Sequence, residues 1–154
     1  MQIEEFRDLI GGITAKIAGK PIDATLMAEM NRDFPAGGAA FQQLAEACRS
    51  GIAAGWLCQR EHGGVKFGRA VKPGAETHGF SVDVVEMDDV AGPHHAHPNG
   101  EVVMIVPESE GAVFDGHGEG WLVYEPGTAH SPTVSKGKAI VLYMLPEGAI
   151  EFSR

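Results

Sequence analysis

The stretch from Gly92 to Glu101 constrains the fold of this 154-residue chain more than any other. It places three histidines and a carboxylate around a Pro-Asn-Gly turn. Because side chains two residues apart on an extended strand point to the same face, His95 and His97 project together and His94 points away. Glu101 opens an apolar run and is in phase with alternate residues of it, so its carboxylate points toward an apolar interior. The stretch therefore predicts two strands and a tight turn that bring two imidazoles and a carboxylate together.

This group of side chains predicts a metal site. Neutral imidazole and carboxylate suit first-row divalent cations, and Fe, Mn, Ni, Co and Zn all remain open. A fourth ligand is expected from elsewhere in the chain, and His130, which follows Pro126-Gly127, is the candidate. We expect no organic cofactor. The alternative is a hydrogen-bonded acid–base site built from the same residues without a metal.

Composition limits the class of protein. The length fits one domain with a sizeable core, and 21 glycines and nine prolines favour a turn-rich β protein in at least part of it. A net charge of -9 argues against nucleic acid as a partner, because phosphates demand a basic face. No apolar run approaches the roughly 18 residues that span a bilayer, so we expect no membrane partner.

The cellular location is predicted from the N-terminus and the cysteines. The first residues, Met1 to Asp8, are acidic and amphipathic, unlike a secretory signal. Cys48 and Cys58 stand in unlike contexts without a CxxC pattern, which favours two reduced thiols. We therefore expect a cytoplasmic protein.

The first 55 residues predict a helical arm of three amphipathic helices. Asp23 is placed to cap the second helix, and Gly55 ends the third. The apolar positions that repeat at helical spacing are Ile3, Phe6, Ile10, Ile13 and Ile17, then Leu26, Met27 and Met30, then Phe41, Leu44, Ala45, Cys48 and Ile52. These stripes favour packing faces, either within the chain or in a homodimer.

The remaining residues, 56–154, predict strands. Segments 56–60 and 65–71 flank a Gly63-Gly64 turn and indicate a β-hairpin. Three helices and a hairpin also suggest a winged helix, but the acidic balance disfavours DNA binding. Short apolar segments separated by Gly and Pro turns follow, at 80–86, 101–106, 112–114, 121–124, 133–134 and 139–145. Their spacing predicts a small sandwich or barrel, which with the arm forms one compact domain.

Two motifs resemble those of the cupin superfamily. They are His95-x-His97-x3-Glu101 and Gly120-x5-Pro126-Gly127-x2-His130. The resemblance implies a mainly β fold, a cupin-type double-stranded β-helix or jelly-roll barrel, preceded here by the helical arm and the β-hairpin. It also implies one metal ion inside the barrel, held by His95, His97, Glu101 and His130.

Over nearly its whole length, the chain also resembles the 4-hydroxylaminobenzoate lyase family. Residues 77–101, 115–121 and 145–152 carry this likeness. It implies a lyase that converts 4-hydroxylaminobenzoate to 3,4-dihydroxybenzoate and ammonia in nitroaromatic breakdown, acting on a small aromatic acid. Two alternatives stay open: a metal-dependent dioxygenase that acts on an aromatic acid, and a non-catalytic barrel that binds a small molecule.

The remaining roles are predicted from the chemistry of this reaction. Glu101 and His94 are candidates for proton transfer, although strand alternation turns His94 off the ligand face. Arg69 falls in phase with apolar residues of its strand, and we expect it to bind the substrate carboxylate, with Arg60 behind it. The aromatic side chains expected to contact the ring are Trp121 and Tyr124.

Overall fold

The structure, a computed structural model, describes residues 2–153. Three α-helices come first: α1 (Ile3–Ile17), α2 (Ala24–Asp33) and α3 (Ala39–Ala54). A 3-10 turn at Ala75–Thr77 separates the second and third strands. The strands are β1 (Arg60–His62), β2 (Val65–Val71), β3 (Phe80–Ala91), β4 (His95–His97), β5 (Glu101–Pro107), β6 (Val113–Phe114), β7 (Gly120–Tyr124), β8 (Thr128–His130), β9 (Thr133–Pro146) and β10 (Glu151–Phe152).

The predicted helices form, with the predicted boundary signals. Asp23 caps α2 by accepting a hydrogen bond from the Leu26 amide at 3.0 Å, which satisfies one of the free N–H groups of the first turn. Gly55 ends α3 in the left-handed region, with φ of 86°, where a residue without Cβ is favoured. No helix within residues 2–153 is long and apolar enough to cross a membrane.

The strands form two antiparallel sheets. The larger has the order β1-β2-β3-β9-β5-β7, with β6 paired to β9, and the smaller has the order β10-β4-β8. Strands adjacent in a sheet are mostly distant in sequence, as in a jelly roll. Side chains from both sheets line one cavity between them. The expected mainly β, cupin-type double-stranded β-helix, preceded by helices and a hairpin, is confirmed.

The larger sheet is buried on both faces. Its inner face contributes residues such as Val103, Ile105 and Val141 to the barrel interior. Its outer face contributes residues such as Met104 and Leu142 to a core shared with all three helices. Burying one such side chain contributes about 1.5–3 kcal/mol. The apolar stripes of the arm are therefore covered by the chain's own sheet.

The hairpin begins later than its sequence predicts. A strand over 56–60 was expected, but β1 starts at Arg60. Trp56 instead packs edge-on against Phe6, with ring centroids 5.7 Å apart, and Leu57 is buried in the helical core. Cys58 then turns the chain with a φ of 53°. Trp56 and Leu57 pack against the helices, so the predicted strand over 56–60 was wrong, whereas the predicted Gly63-Gly64 turn was correct.

Candidate metal centre

The candidate centre is built where β4, β8 and the start of β5 meet. His95 and His130 are directly paired across β4 and β8, so their side chains share a face. His97 lies two residues along β4 on that face, as strand alternation requires. Gly100 makes the turn into β5 with φ of 86°, and a Cβ there would lie 2.6 Å from Cγ2 of Ile22. The Cβ would also lie 2.9 Å from the Tyr124 carbonyl oxygen, so the turn favours glycine. Glu101, the first residue of β5, is buried.

Four ligand atoms converge at this point. His95 Nε2 lies 3.0 Å from His97 Nε2 and 3.1 Å from His130 Nε2. Glu101 Oε2 lies 2.9 Å from His97 Nε2. All four ligand atoms lie within 4.8 Å of one another. Donor atoms bound at about 2.1 Å to one ion are separated by about 3.0–3.4 Å at octahedral to tetrahedral angles. The three shortest spacings, 2.9–3.1 Å, are close to this range, whereas His95 Nε2 and Glu101 Oε2 are 3.9 Å apart.

Hydrogen bonds to the outer nitrogen of each ring set the tautomers. His95 Nδ1 donates to the Pro93 carbonyl at 3.1 Å. His97 Nδ1 donates to Thr128 Oγ1 at 3.0 Å, because that hydroxyl itself donates to the Glu125 carbonyl at 2.6 Å. Each Nδ1 therefore carries the proton, and each Nε2 presents a lone pair.

His130 is oriented by Asp115 rather than by backbone. Its Nδ1 lies 2.6 Å from Asp115 Oδ2, so Nδ1 is the donor and Nε2 again presents a lone pair. Asp115 also accepts a hydrogen bond from the Tyr124 hydroxyl and one from the Thr133 amide at 2.9 Å. Burial alone would raise the pKa of Asp115, but these hydrogen bonds outweigh it and hold the pKa below its ordinary value.

The donor set fits a divalent cation. The Nε2 lone pairs of the three histidines face one another at close range. They repel one another when the rings are neutral and no ion is present, and a bound cation stabilises this arrangement. Glu101 Oε2 is buried and receives no hydrogen bond within residues 2–153, although such an oxygen normally has a partner. Burial lowers the pKa of His95, with Glu101 opposing only part of the effect, which favours the neutral ring that binds metal.

A cavity of about 260 Å³ opens over this cluster. His95, Glu101 and His130 form its polar part. Its other lining residues are largely apolar: His62, Val65, Phe67, Val85, Met87, Gly92, Pro93, Phe114, Pro132, Val141, Tyr143 and Phe152. The volume is slightly below the roughly 300–1,000 Å³ of pockets for drug-sized ligands, so it suits one small ring with a polar group at the cluster.

Arg69 lies in a neighbouring cavity that shares Phe67, Tyr143 and Phe152 with the first. Its guanidinium pairs with Asp83, with Nε 3.2 Å from Oδ1 and Nη2 3.2 Å from Oδ2. Arg69 is exposed, and its guanidinium has a carboxylate partner in the chain itself. Burial raises the pKa of Asp83, and the Arg69 pair offsets only part of that effect.

Arg60 also lines this second cavity. The region therefore carries two guanidinium groups and one carboxylate, a net positive charge suited to an anion. Nη2 of Arg69 also approaches the Gly148 carbonyl at 3.4 Å. Because a guanidinium has five N–H donors, Arg69 keeps donors for a second carboxylate.

Trp121 does not reach either cavity, which corrects the expectation that it contacts a ligand. Its ring packs edge-on against Phe41, with centroids 5.9 Å apart, and its Nε1 donates to the Phe34 carbonyl at 2.9 Å. Alternation along β7 places it on the outer face of the sheet, under the helices.

Tyr124 is close to the cluster but does not line the cavity. Its ring stacks on His97, with centroids 5.3 Å apart, and lies 4.5 Å from the ring of His130. Burial raises the pKa of its hydroxyl, as does the bond to Asp115. Tyr124 therefore supports the histidines.

His94 points away from the ligand face, as alternation predicts. It is exposed, and its Nδ1 lies 2.6 Å from Ser153 Oγ. A direct proton transfer by His94 in the cavity is therefore not supported by its position.

Sequence reasoning missed several residues that the structure brings to this region. Asp115 opens a Gly-rich turn, Tyr143 lies in the predicted strand segment 139–145 without a proposed role, and Phe152 lies outside the predicted strand segments. A signal existed for two of them, since Asp115 and Phe152 fall within the stretches 115–121 and 145–152 that resemble the lyase family.

Comparisons with known proteins agree with this architecture. A family model described as "PnbB: 4-hydroxylaminobenzoate lyase" matches residues 8–152. A 4-hydroxylaminobenzoate lyase from Pseudomonas putida is 32% identical over 155 residues, which cover 90% of this chain and 88% of the relative. One from Nocardioides sp. (strain LMS-CY) is 33% identical over 132 residues, covering 80% and 78%. The crystal structure of DMSP lyase DddQ from Ruegeria pomeroyi DSS-3 shares the fold, with a TM-score of 0.52, 16% identity and coverage of 96% and 95%.

Proposed function

The chain belongs to the 4-hydroxylaminobenzoate lyase family, and on that premise we propose that it converts 4-hydroxylaminobenzoate to 3,4-dihydroxybenzoate and ammonia. The observation that carries the proposal is the convergence of His95, His97, Glu101 and His130 in a cavity with mostly apolar walls and room for one small ring. Polar groups at one end suit the hydroxylamino group, and the apolar walls suit the benzene ring.

The reaction requires four changes and no oxidant. The N–O bond breaks, and a water oxygen adds to the ring carbon beside the nitrogen. Water then replaces the resulting imine nitrogen, which leaves as ammonia, and the ring carbon that gained oxygen finally loses its proton. Overall, one water is consumed. Hydroxide is a poor leaving group, so the departing oxygen needs a proton or a Lewis acid.

We propose that His95, His97, Glu101 and His130 hold one divalent metal ion. Bound there, the ion would supply a Lewis acid for the departing oxygen and lower the pKa of a water molecule. The protein's own contribution is to keep the three Nε2 atoms unprotonated and aimed at one point, through Pro93, Thr128 and Asp115.

Glu101 is the proton carrier in this proposal. Its carboxyl group is buried beside the polar end of the cavity, and Oε2 has no hydrogen-bond donor within residues 2–153. In the metal-free alternative, its protonated form would donate to the leaving hydroxyl group. With or without a metal, the Glu101 carboxylate accepts the proton from the ring carbon that gained oxygen, after the imine has been hydrolysed, and this step restores the aromatic ring.

Arg69 anchors the benzoate carboxylate, with Arg60 as a second cation. The support is the net positive charge of the second cavity and the three residues that it shares with the first, Phe67, Tyr143 and Phe152. A bidentate guanidinium is well matched to a planar carboxylate. His94 and Trp121 have no direct role in the proposal, because neither lines the cavities.

An anaerobic assay tests the proposed reaction. Purified protein is incubated with 4-hydroxylaminobenzoate, and ammonia and 3,4-dihydroxybenzoate are measured together. Equal amounts of both products without oxygen are expected, because the balance needs only water. Product that forms only with oxygen uptake would favour a dioxygenase, and no product under either condition would favour a binding protein.

A further inference from the structure

Phe152 has an unusual environment for an apolar side chain. It is 58% exposed and is the one large hydrophobic residue exposed to this degree in residues 2–153. It also lines both the cavity over the histidine cluster and the neighbouring cavity of Arg69. An exposed aromatic residue at the edge of a ligand cavity marks a surface that a ligand can cover.

Strand pairing fixes the direction of the Phe152 side chain. Phe152 pairs directly with His95 across β10 and β4, and directly opposed residues of an antiparallel pair project to the same face. The ring therefore lies on the face that carries the histidine cluster. Its centroid is 5.5 Å from that of His95, at an interplanar angle of 67°.

On its opposite face, the segment that carries Phe152 is hydrogen-bonded to His94. The Ser153 amide donates to the His94 carbonyl at 2.9 Å, and Ser153 Oγ lies 2.6 Å from His94 Nδ1. Alternation places His94 and Ser153 on one face and His95 and Phe152 on the other. The His94–Ser153 contact thus holds the short β10 strand in register.

We propose that Phe152 is a specificity-determining residue whose ring packs against the aromatic ring of the substrate, and that His94 is a positioning residue for Phe152. The inference rests on the proposed function, because it takes a benzoate with a para nitrogen as the ligand. Phe152 touches both cavities, so it contacts a ligand that reaches from the histidine cluster toward Arg69. Edge or offset contacts between aromatic rings add to the affinity gained from burial alone.

The test compares Phe152→Leu with Phe152→Tyr in protein loaded with metal. Binding is measured by calorimetry with 4-aminobenzoate, which lacks the N–O bond, and gives Kd. Turnover is measured with 4-hydroxylaminobenzoate and gives KM and kcat. Phe152→Leu is expected to raise Kd and KM roughly tenfold, while kcat changes less than about twofold. Phe152→Tyr keeps the aromatic ring and should remain near the wild-type Kd and KM.

His94→Ala and Ser153→Ala test the positioning role. Each should raise Kd for 4-aminobenzoate by about threefold, and the double variant by no more than either single one, because both changes break the same contact. His117→Ala is the matched control, since His117 is an exposed histidine outside β4 and β10. It should leave Kd unchanged.

The outcomes separate this inference from the proposed reaction. If the wild-type protein is active and Phe152→Leu leaves Kd unchanged, the role of Phe152 is overturned and the proposed reaction is not. Loss of bound metal or of kcat in Phe152→Leu, with Kd retained, would also overturn it, since that result indicates a purely structural part. Wild-type protein that binds 4-aminobenzoate without turning over 4-hydroxylaminobenzoate would overturn the reaction, and the Kd comparison would still decide for or against Phe152.

Discussion

His130 Nδ1 lies 2.6 Å from Asp115 Oδ2, so a carboxylate outside the ligand set fixes the ring of one proposed ligand. The same carboxylate accepts a hydrogen bond from the hydroxyl of Tyr124, whose ring lies against His97 and His130. Two of the three histidines are thus oriented through one small network, in which loss of a single group affects both the tautomer and the position of the rings.

Replacing Asp115 with Asn should weaken metal binding about 10–100-fold, because a neutral amide supports the His130 tautomer less well. The measurement is competition with a chromophoric chelator at fixed pH. Asp88→Asn is the control, since Asp88 is exposed on β3. Equal metal affinity in wild type and Asp115→Asn would contradict the role given to Asp115.

Removing the Arg69 guanidinium should raise KM for 4-hydroxylaminobenzoate roughly 10–100-fold, the effect expected for loss of a charge-assisted hydrogen bond. The variant of choice is Arg69→Gln with Asp83→Asn, because the single change leaves the buried Asp83 carboxylate without its partner. Arg32→Gln, at an exposed pair with Asp33, is the control. If KM stays within about twofold of wild type, Arg69 is not the anchor.

Replacing Trp121 with Phe should destabilise the protein by about 1–3 kcal/mol while leaving KM and kcat close to wild type. The loss comes from the hydrogen bond to the Phe34 carbonyl and from the smaller ring against Phe41. Urea unfolding gives the free energy, and steady-state kinetics give the activity. A large rise in KM with an unchanged free energy of unfolding would contradict this and indicate that Trp121 contacts the substrate.

We propose that residues 1–55 and 56–154 unfold as one unit, because α1, α2 and α3 share a core with the outer face of the sheet. Thermal unfolding followed by helical circular dichroism should then coincide with unfolding followed by exchange of the β5 and β9 amides. Leu44→Ala, in the buried face of α3, should lower both midpoints together. Separate midpoints would indicate that the arm folds independently.

The proposed ligand set could be predicted from sequence because its geometry is local. His95, His97 and Glu101 lie within seven residues, and strand alternation with one glycine turn places them together. His130 was predicted from its place after Pro126-Gly127, and the cupin resemblance implied the same residue. Its pairing with His95 across β4 and β8 brings the two side chains to one face. Tyr124 was expected nearby, but alternation cannot show whether a side chain faces the ligand or the back of the histidines.

The rest depends on long-range pairing that a single sequence does not reveal. Strand alternation predicts which residues of β7 share a face with Trp121. Only the helices packed on the sheet determine that this face is the outer one. Asp115 lies in a turn, 15 residues from His130, and its role depends on how that turn folds over β8. Phe152 reaches His95 only because β10 pairs with β4.

We propose that one metal ion, on which the lyase activity depends, is held by His95, His97, Glu101 and His130. The most direct measurement is metal content per chain together with anaerobic turnover of 4-hydroxylaminobenzoate, before chelation, after chelation and after one divalent metal is restored. We expect about one ion per chain, loss of both products on chelation, and recovery when the metal is restored, with no recovery in His95→Ala. Full product formation by chelated protein that contains almost no metal would contradict it and assign these residues to acid–base chemistry alone.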